Sequence, residues 1–141
     1  MAEHVIVRQD ADFRTQFWAE EETEDGNGKL QEASHIHQLN PYSMMLSSLG
    51  SCTAIVLNTY AEHHRMPLES VEIELFYNRN YRKDCDTCEQ TGNYSEEVVE
   101  QMKFLGQLTD KEKDKLLRIA HACPIYKMFK EGIPIRTELQ S

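Results

Sequence analysis

A chain of 141 residues with 40% apolar side chains can bury one real core and is short for two. Its net charge of −9 argues against nucleic acid or an anionic membrane as partner, because the sequence-independent part of such binding needs clustered Lys and Arg. No charged-then-apolar leader opens the chain and no apolar run approaches membrane-spanning length, so it reads as a soluble cytoplasmic protein, in which four cysteines serve redox, metal or packing roles rather than a disulfide framework.

In chain order, His4 to Gln9 alternates Val5 and Val7 with polar neighbours, and Asp12 to Glu20 alternates Phe13, Thr15, Phe17 and Ala19 with Arg14, Gln16, Trp18 and Glu20. Both predict strands, with a turn at Asp10-Ala11. The acidic run Glu20, Glu21, Glu22, Glu24, Asp25 reads as a solvated loop or hairpin tip. Gly26-Asn27-Gly28 breaks the chain, and Lys29 to His37 offers a third strand, which completes an antiparallel meander.

Asn40 to His64 predicts one long helix. Asn40 can cap it, and Pro41 fits its first turn, where a missing N–H costs nothing. Met45, Leu49, Cys52, Val56 and Tyr60 recur at steps of three and four, and Leu46, Ile55 and Leu57 widen the stripe, so the helix is expected to be buried nearly all round. Gly50 costs about 1 kcal/mol relative to Ala inside a helix, which calls for a packing or access reason. Cys52 lies in the middle and reads either as a small buried hydrophobe or as a reactive thiol.

Pro67 stops the helix. Leu68 to Tyr81, with Val71, Ile73, Leu75 and Tyr77 in strict alternation, predicts the clearest strand. Arg82 to Ser95 is a polar excursion holding Cys85 and Cys88, and Glu97 to Leu108 predicts another strand. The Cys-x-x-Cys spacing allows a metal site, a redox relay or no chemistry. Zinc would need two further ligands, from His35, His37, His121 or a partner chain, and the acids Asp84, Asp86 and Glu89, with Glu96 further on, would raise rather than lower a thiol pKa. Thr109-Asp110-Lys111-Glu112 is a capping box, opening a helix to about Ala122 that buries Leu116, Leu117, Ile119 and Ala120. Cys123-Pro124 interrupts it, placing Cys123 at the N-cap of a short helix over Ile125 to Lys130, where a thiolate would be favoured; a cysteine filling a helix junction is the alternative. Gly132 closes that helix, and Ile133 to Leu139 predicts a final strand. There is no internal repeat or linker, so residues 1–141 read as a single domain.

The run Asn40-Pro41-Tyr42-Ser43-Met44-Met45-Leu46-Ser47-Ser48-Leu49-Gly50-Ser51-Cys52-Thr53-Ala54 resembles the central-helix signature of the OsmC/Ohr family of osmotically induced and organic-hydroperoxide-resistance proteins, and Leu116 to Ile125, with Cys123-Pro124, resembles its second motif. The resemblance implies an α+β fold in which antiparallel sheets wrap a long buried central helix within an intertwined homodimer. It implies a thiol peroxidase, with no metal or cofactor, in which Cys52 attacks a hydroperoxide to give a sulfenic acid, Cys123 condenses with it to a disulfide, and a dithiol reductant restores both. Met44, Met45, Leu49 and Phe104 around Cys52 fit an organic hydroperoxide better than hydrogen peroxide. The family arginine is assigned to Arg14, with Arg8 as the alternative. Tyr42 departs from the pattern, since members acting on organic hydroperoxides carry Glu there, which leaves a non-catalytic redox-sensing or small-ligand-binding protein as the alternative reading.

Overall fold

The computed structural model describes residues 2–20, 28–81 and 94–140. The acidic run beyond Glu20 and the Cys85/Cys88 segment lie outside the described residues. The elements are β1 (Ala2–Asp10), β2 (Thr15–Glu20), β3 (Leu30–Glu32), a 3-10 turn (Ile36–Gln38), α1 (Pro41–His63), β4 (Ser70–Tyr81), β5 (Tyr94–Leu105), α2 (Asp110–Ile119), a second 3-10 turn (Ala120–Ala122) and α3 (Pro124–Glu131). The strands form one antiparallel sheet in the order β3-β2-β1-β4-β5.

The central pair, β1 and β4, sets the register, with Val5 opposite Leu75 and Val7 opposite Ile73, all fully buried. Directly opposed residues share a face, so this apolar row continues through Val71 and Tyr77 and gives α1 a floor to pack on. Helix α1 lays Leu46, Gly50, Ala54, Leu57 and Ala61 on that side, all buried. The reason for Gly50 is close approach: a Cβ there would sit 2.7 Å from Val7 Cγ2 and 2.9 Å from Leu75 Cδ1. Asn40 caps the helix through Oδ1, which accepts from the Ser43 N–H at 2.8 Å, and Pro41 follows as expected. At the other end His64 is the cap residue, its ring stacked on Tyr60 with centroids 3.9 Å apart, and Arg65 takes a positive φ of 51° to leave the helix.

Several expectations are corrected. Helix α1 is not buried all round: Met44 and Ile55 are 37% and 48% exposed, on a face that also carries Ser48 and Thr59. The second strand begins at Thr15 rather than Asp12, because Asp10 Oδ1 accepts from the Asp12 and Arg14 N–H groups and ties residues 10–14 into a turn. The third strand is three residues long; Gln38 Oε1 accepts from the Ser34 and His35 N–H groups and folds the rest into the 3-10 turn. The fifth strand starts earlier than expected, at Tyr94, and ends at Leu105, where Gly106 turns the chain at φ 134°. The Thr109/Glu112 capping box is present, but of the apolar residues expected inside, Leu117 is 47% exposed. Residues 133–139 form no strand. The alternation is there, but a strand needs a neighbouring ladder, and Ile133, Ile135 and Leu139 are 58%, 86% and 99% exposed.

Candidate active site

The stripe Met45, Leu49, Cys52, Val56, Tyr60 is half-buried apart from buried Leu49, and the α2–α3 segment packs against α1. That segment is bent by its own sequence. Pro124 forbids Cys123 the helical region, so Cys123 takes φ −64° and ψ 128°, ends the 3-10 turn and becomes the N-cap of α3 with Pro124 at its first position. The bend brings Cys123 against Cys52. Both are free thiols, Cys123 fully buried and Cys52 partly exposed.

The helix terminus acts on the other cysteine than the sequence reading assigned. The Cys123 side chain makes no capping hydrogen bond. Instead the backbone N–H of Ile125, in the first turn of α3, and the Cys123 thiol are the groups near enough to the Cys52 sulfur to act on its ionisation. Burial nonetheless pushes the Cys52 thiol above its ordinary value, the Cys123 contact adds to the rise, and the Ile125 N–H opposes it. Cys52 is therefore mostly a thiol at neutral pH, held beside the donor that would stabilise its thiolate.

A cavity of about 380 Å³ opens along the same stripe of α1. Met45, Leu49, Tyr77, Val98, Tyr126 and Phe129 give it an apolar and aromatic lining, and Glu96, Glu97, Glu100, His121 and Lys130 supply its charged and polar groups. Of the residues expected around Cys52, Met45 and Leu49 belong to it. Met44 is on the exposed face of α1, and Phe104 lies four residues further along β5 from Glu100. His121 stacks on Tyr126 at 4.6 Å between centroids, flanking Cys123. Tyr42 stacks on Tyr77 at 5.3 Å, and the Tyr77 hydroxyl donates to Glu96 Oε2 at 2.8 Å. Burial first, then the Glu96 carboxylate, pushes the Tyr77 phenol up to about 12, so it stays a donor. A larger, polar cavity of about 480 Å³ between β2, β3 and residues 33–40 has no cysteine among its lining residues.

Arg14 stands elsewhere in the chain. Its side chain is 80% exposed in the turn after β1, with Asp10 Oδ2 and Asp12 Oδ2 each 3.6 Å away. Arg8 is exposed on β1, whose alternate residues Val5, Val7 and Gln9 are the buried ones. The structure thus joins Cys52 with Cys123 and does not bring either arginine to them within one chain. Of the histidines considered for zinc, His35 and His37 stack on each other, and His121 pairs with Tyr126. Among the described residues no group of three or more His, Cys, Asp or Glu side chains is placed to hold a metal. Sequence reasoning missed Tyr77, Glu100 and Tyr126 as cavity residues and set Glu96 with the Cys85/Cys88 segment instead. Only Glu100 left a signal, as an acid interrupting the alternating apolar residues Val98, Met102 and Phe104.

An antiparallel sheet carrying a long helix, with a Cys-Pro helix junction laid against a mid-helix cysteine, defines an α+β protein with a two-thiol centre. Residues 31–138 match the family model described as OsmC-like protein, and the chain belongs to that family. Among solved structures it is similar to an OsmC-like hydroperoxide resistance protein from Jannaschia sp. CCS1, with TM-score 0.63 and 10% identity over 99% of this chain and 94% of that one. It is also similar to an organic hydroperoxide resistance protein OsmC from Legionella pneumophila, with TM-score 0.52 and 14% identity over 84% and 82%. At these identities the likeness carries the fold alone. No curated protein matches the chain.

Proposed function

We propose that this protein is a thiol peroxidase for organic hydroperoxides, with Cys52 as nucleophile and Cys123 as resolving thiol. The observation that carries the reading is the juxtaposition of the Cys52 and Cys123 thiols at the start of α3, where the Ile125 N–H favours a Cys52 thiolate. The family and the hydroperoxide resistance proteins that share the fold support it. In the first step the Cys52 thiolate attacks the outer oxygen of ROOH, the O–O bond breaks, Cys52 becomes a sulfenic acid and the alkoxide leaves as ROH after taking a proton. In the second, Cys123 sulfur displaces hydroxide from the sulfenic acid, releasing water and forming the Cys52–Cys123 disulfide. A dithiol reductant returns both cysteines to thiols and is itself oxidised to its disulfide. The cycle needs no metal or cofactor. Arg14 is left out of it, because its guanidinium is occupied by Asp10 and Asp12 on an exposed turn.

The reading includes a homodimer. The outer face of α1 combines exposed Met44 and Ile55 with serines whose hydroxyls are already satisfied, Ser48 donating to Met45 O at 2.7 Å and Ser51 to Ser48 O at 3.3 Å. A helix face of small, internally bonded side chains suits a second helix at close range, and the unpaired residues 133–139 offer a strand to a partner. Gel filtration with light scattering should give twice the chain mass.

The raised pKa of Cys52 favours one alternative, a redox-sensing protein that is oxidised once and does not turn over. Intact-mass analysis of the reduced protein after one equivalent of cumene hydroperoxide separates the two. A loss of two hydrogens mapped to a Cys52–Cys123 cystine, followed by sustained peroxide consumption with a dithiol, supports the peroxidase. The same cystine without turnover makes it a sensor, and no oxidation of Cys52 removes both readings.

A further inference from the structure

Glu100 breaks the pattern of its strand. It stands directly opposite Leu75, which is fully buried beneath α1, and opposed residues in an antiparallel pair share a face. Its neighbours on that face are Val98 and Met102, and it lines the cavity with Met45 and Leu49. It has no hydrogen-bond or ion-pair partner among the described residues. Partial burial raises its carboxyl above the usual range, the mark of a charge that its surroundings do not compensate. An acid in such a place costs stability and gives the fold nothing in return.

We infer that Glu100 sets the charge selectivity of the cavity that ends at Leu49, one turn of α1 before Cys52, admitting uncharged apolar hydroperoxides and rejecting those that carry a carboxylate. The proposal rests on the peroxidase reading of the site and names the substrate class that it takes. The aromatic and aliphatic lining accepts an alkyl or aryl group, while the carboxylates Glu96, Glu97 and Glu100 outnumber the one lysine, Lys130, with His121 as the remaining titratable group. Glu96 is engaged by the Tyr77 hydroxyl and Glu97 alternates onto the other face of β5, so Glu100 is the acid that shares the face of Val98 and Met102 and confronts a ligand there. Repulsion of the wrong substrate is a recurring source of specificity, and in a low-dielectric cleft it acts over the length of a small molecule.

The test compares cumene hydroperoxide with its para-carboxylated analogue, in steady state with one dithiol, for the wild type and for Glu100→Gln. The wild type should prefer the uncharged substrate in kcat/KM by about tenfold or more, the difference lying mainly in KM, and Glu100→Gln should reduce that ratio several-fold. Equal values for the two substrates, preference for the carboxylate through Lys130, or a ratio unmoved by Glu100→Gln would overturn the inference. Binding of the two corresponding alcohols, followed by NMR shifts of the reduced wild-type protein, repeats the comparison without chemistry. If neither peroxide is consumed but the uncharged alcohol binds about tenfold more tightly, the cavity assignment stands and only the peroxidase reading falls. Equal binding of the two alcohols rejects the assignment whether or not peroxide is turned over.

Discussion

The two covered sides of α1 are built to opposite purposes. On the sheet side Leu46, Ala54 and Leu57 have no exposed surface, and Gly50 is there because Val7 and Leu75 leave no room for a methyl group. On the α3 side Met45, Cys52 and Val56 are only half-covered, a cavity of about 380 Å³ remains, and a thiol keeps part of its surface open. One side spends packing on stability and the other withholds it to leave access. Within a single helix the difference lies in what is packed against it: a continuous sheet on one side, a bent helical segment on the other.

The largest effect that would sharpen this contrast is kinetic. Because burial and the Cys123 contact raise the Cys52 pKa, the thiolate fraction grows with pH until the raised value is passed. The rate of oxidation by cumene hydroperoxide should therefore climb by up to about tenfold per pH unit from neutrality, without levelling off at the pH where an ordinary cysteine does. A plateau near neutral pH, read by stopped-flow quenching, would mean that the Ile125 N–H outweighs burial.

Truncation of the packed side comes next. Leu57→Ala should lower unfolding free energy by about 2–5 kcal/mol, whereas Met45→Ala, whose side chain already borders a void, should fall at or below the bottom of that range. Denaturant titration of the two variants with matched m-values decides it, and equal losses would erase the distinction between the two sides.

Gly50→Ala is a finer probe, because the alanine gains about 1 kcal/mol of helix propensity while its methyl group must displace Val7 and Leu75. Overpacking of about 1–3 kcal/mol should win, leaving the variant less stable than the wild type. A more stable variant would show that the sheet can yield, and that the approach at Gly50 is not forced.

The smallest effect concerns Glu100. A carboxyl whose folded pKa is raised contributes stability that is fully present below its unfolded value and is lost as pH rises through the folded one. Glu100→Gln should therefore unfold at a slightly higher temperature than the wild type at neutral pH, and the gap should close in acid. A gap that persists unchanged would mean that folding does not shift the carboxyl, and one that widens in acid would mean that it is stabilised in its charged form.

Much of this architecture was legible before any coordinates. Strict alternation located β4, and the Val5/Val7 pair located β1, because a sheet buried on one face must alternate. Asn40-Pro41 and the Thr109/Glu112 box set two helix starts, since capping depends on side chains a few residues away. Of the site, local spacing placed Cys52 within the helix and Cys123 before Pro124, and the resemblance gave the two their paired roles. What failed were the places where distant contacts compete with local pattern. The apolar turns of α1 predicted burial on every side, but one chain supplies cover for only part of the circumference. The alternation of Ile133 and Ile135 predicted a strand for which the described chain offers no neighbour.

The sequence by itself determined the helix starts, the central strands and the positions of the two thiols, because these follow from spacings of a few residues that local geometry reads directly. Only the tertiary structure decided what the thiols meet. Pro124 dictates a bend at Cys123, but where α3 then points depends on packing against α1, and that packing turned the Ile125 N–H onto Cys52 and opened a cavity whose walls come from α1, β4, β5 and α3. Residues 45, 77, 100 and 126 have no local relation to one another. Their meeting is a property of the register between β4 and β5 and of the helix laid across it, which no spacing along the chain encodes.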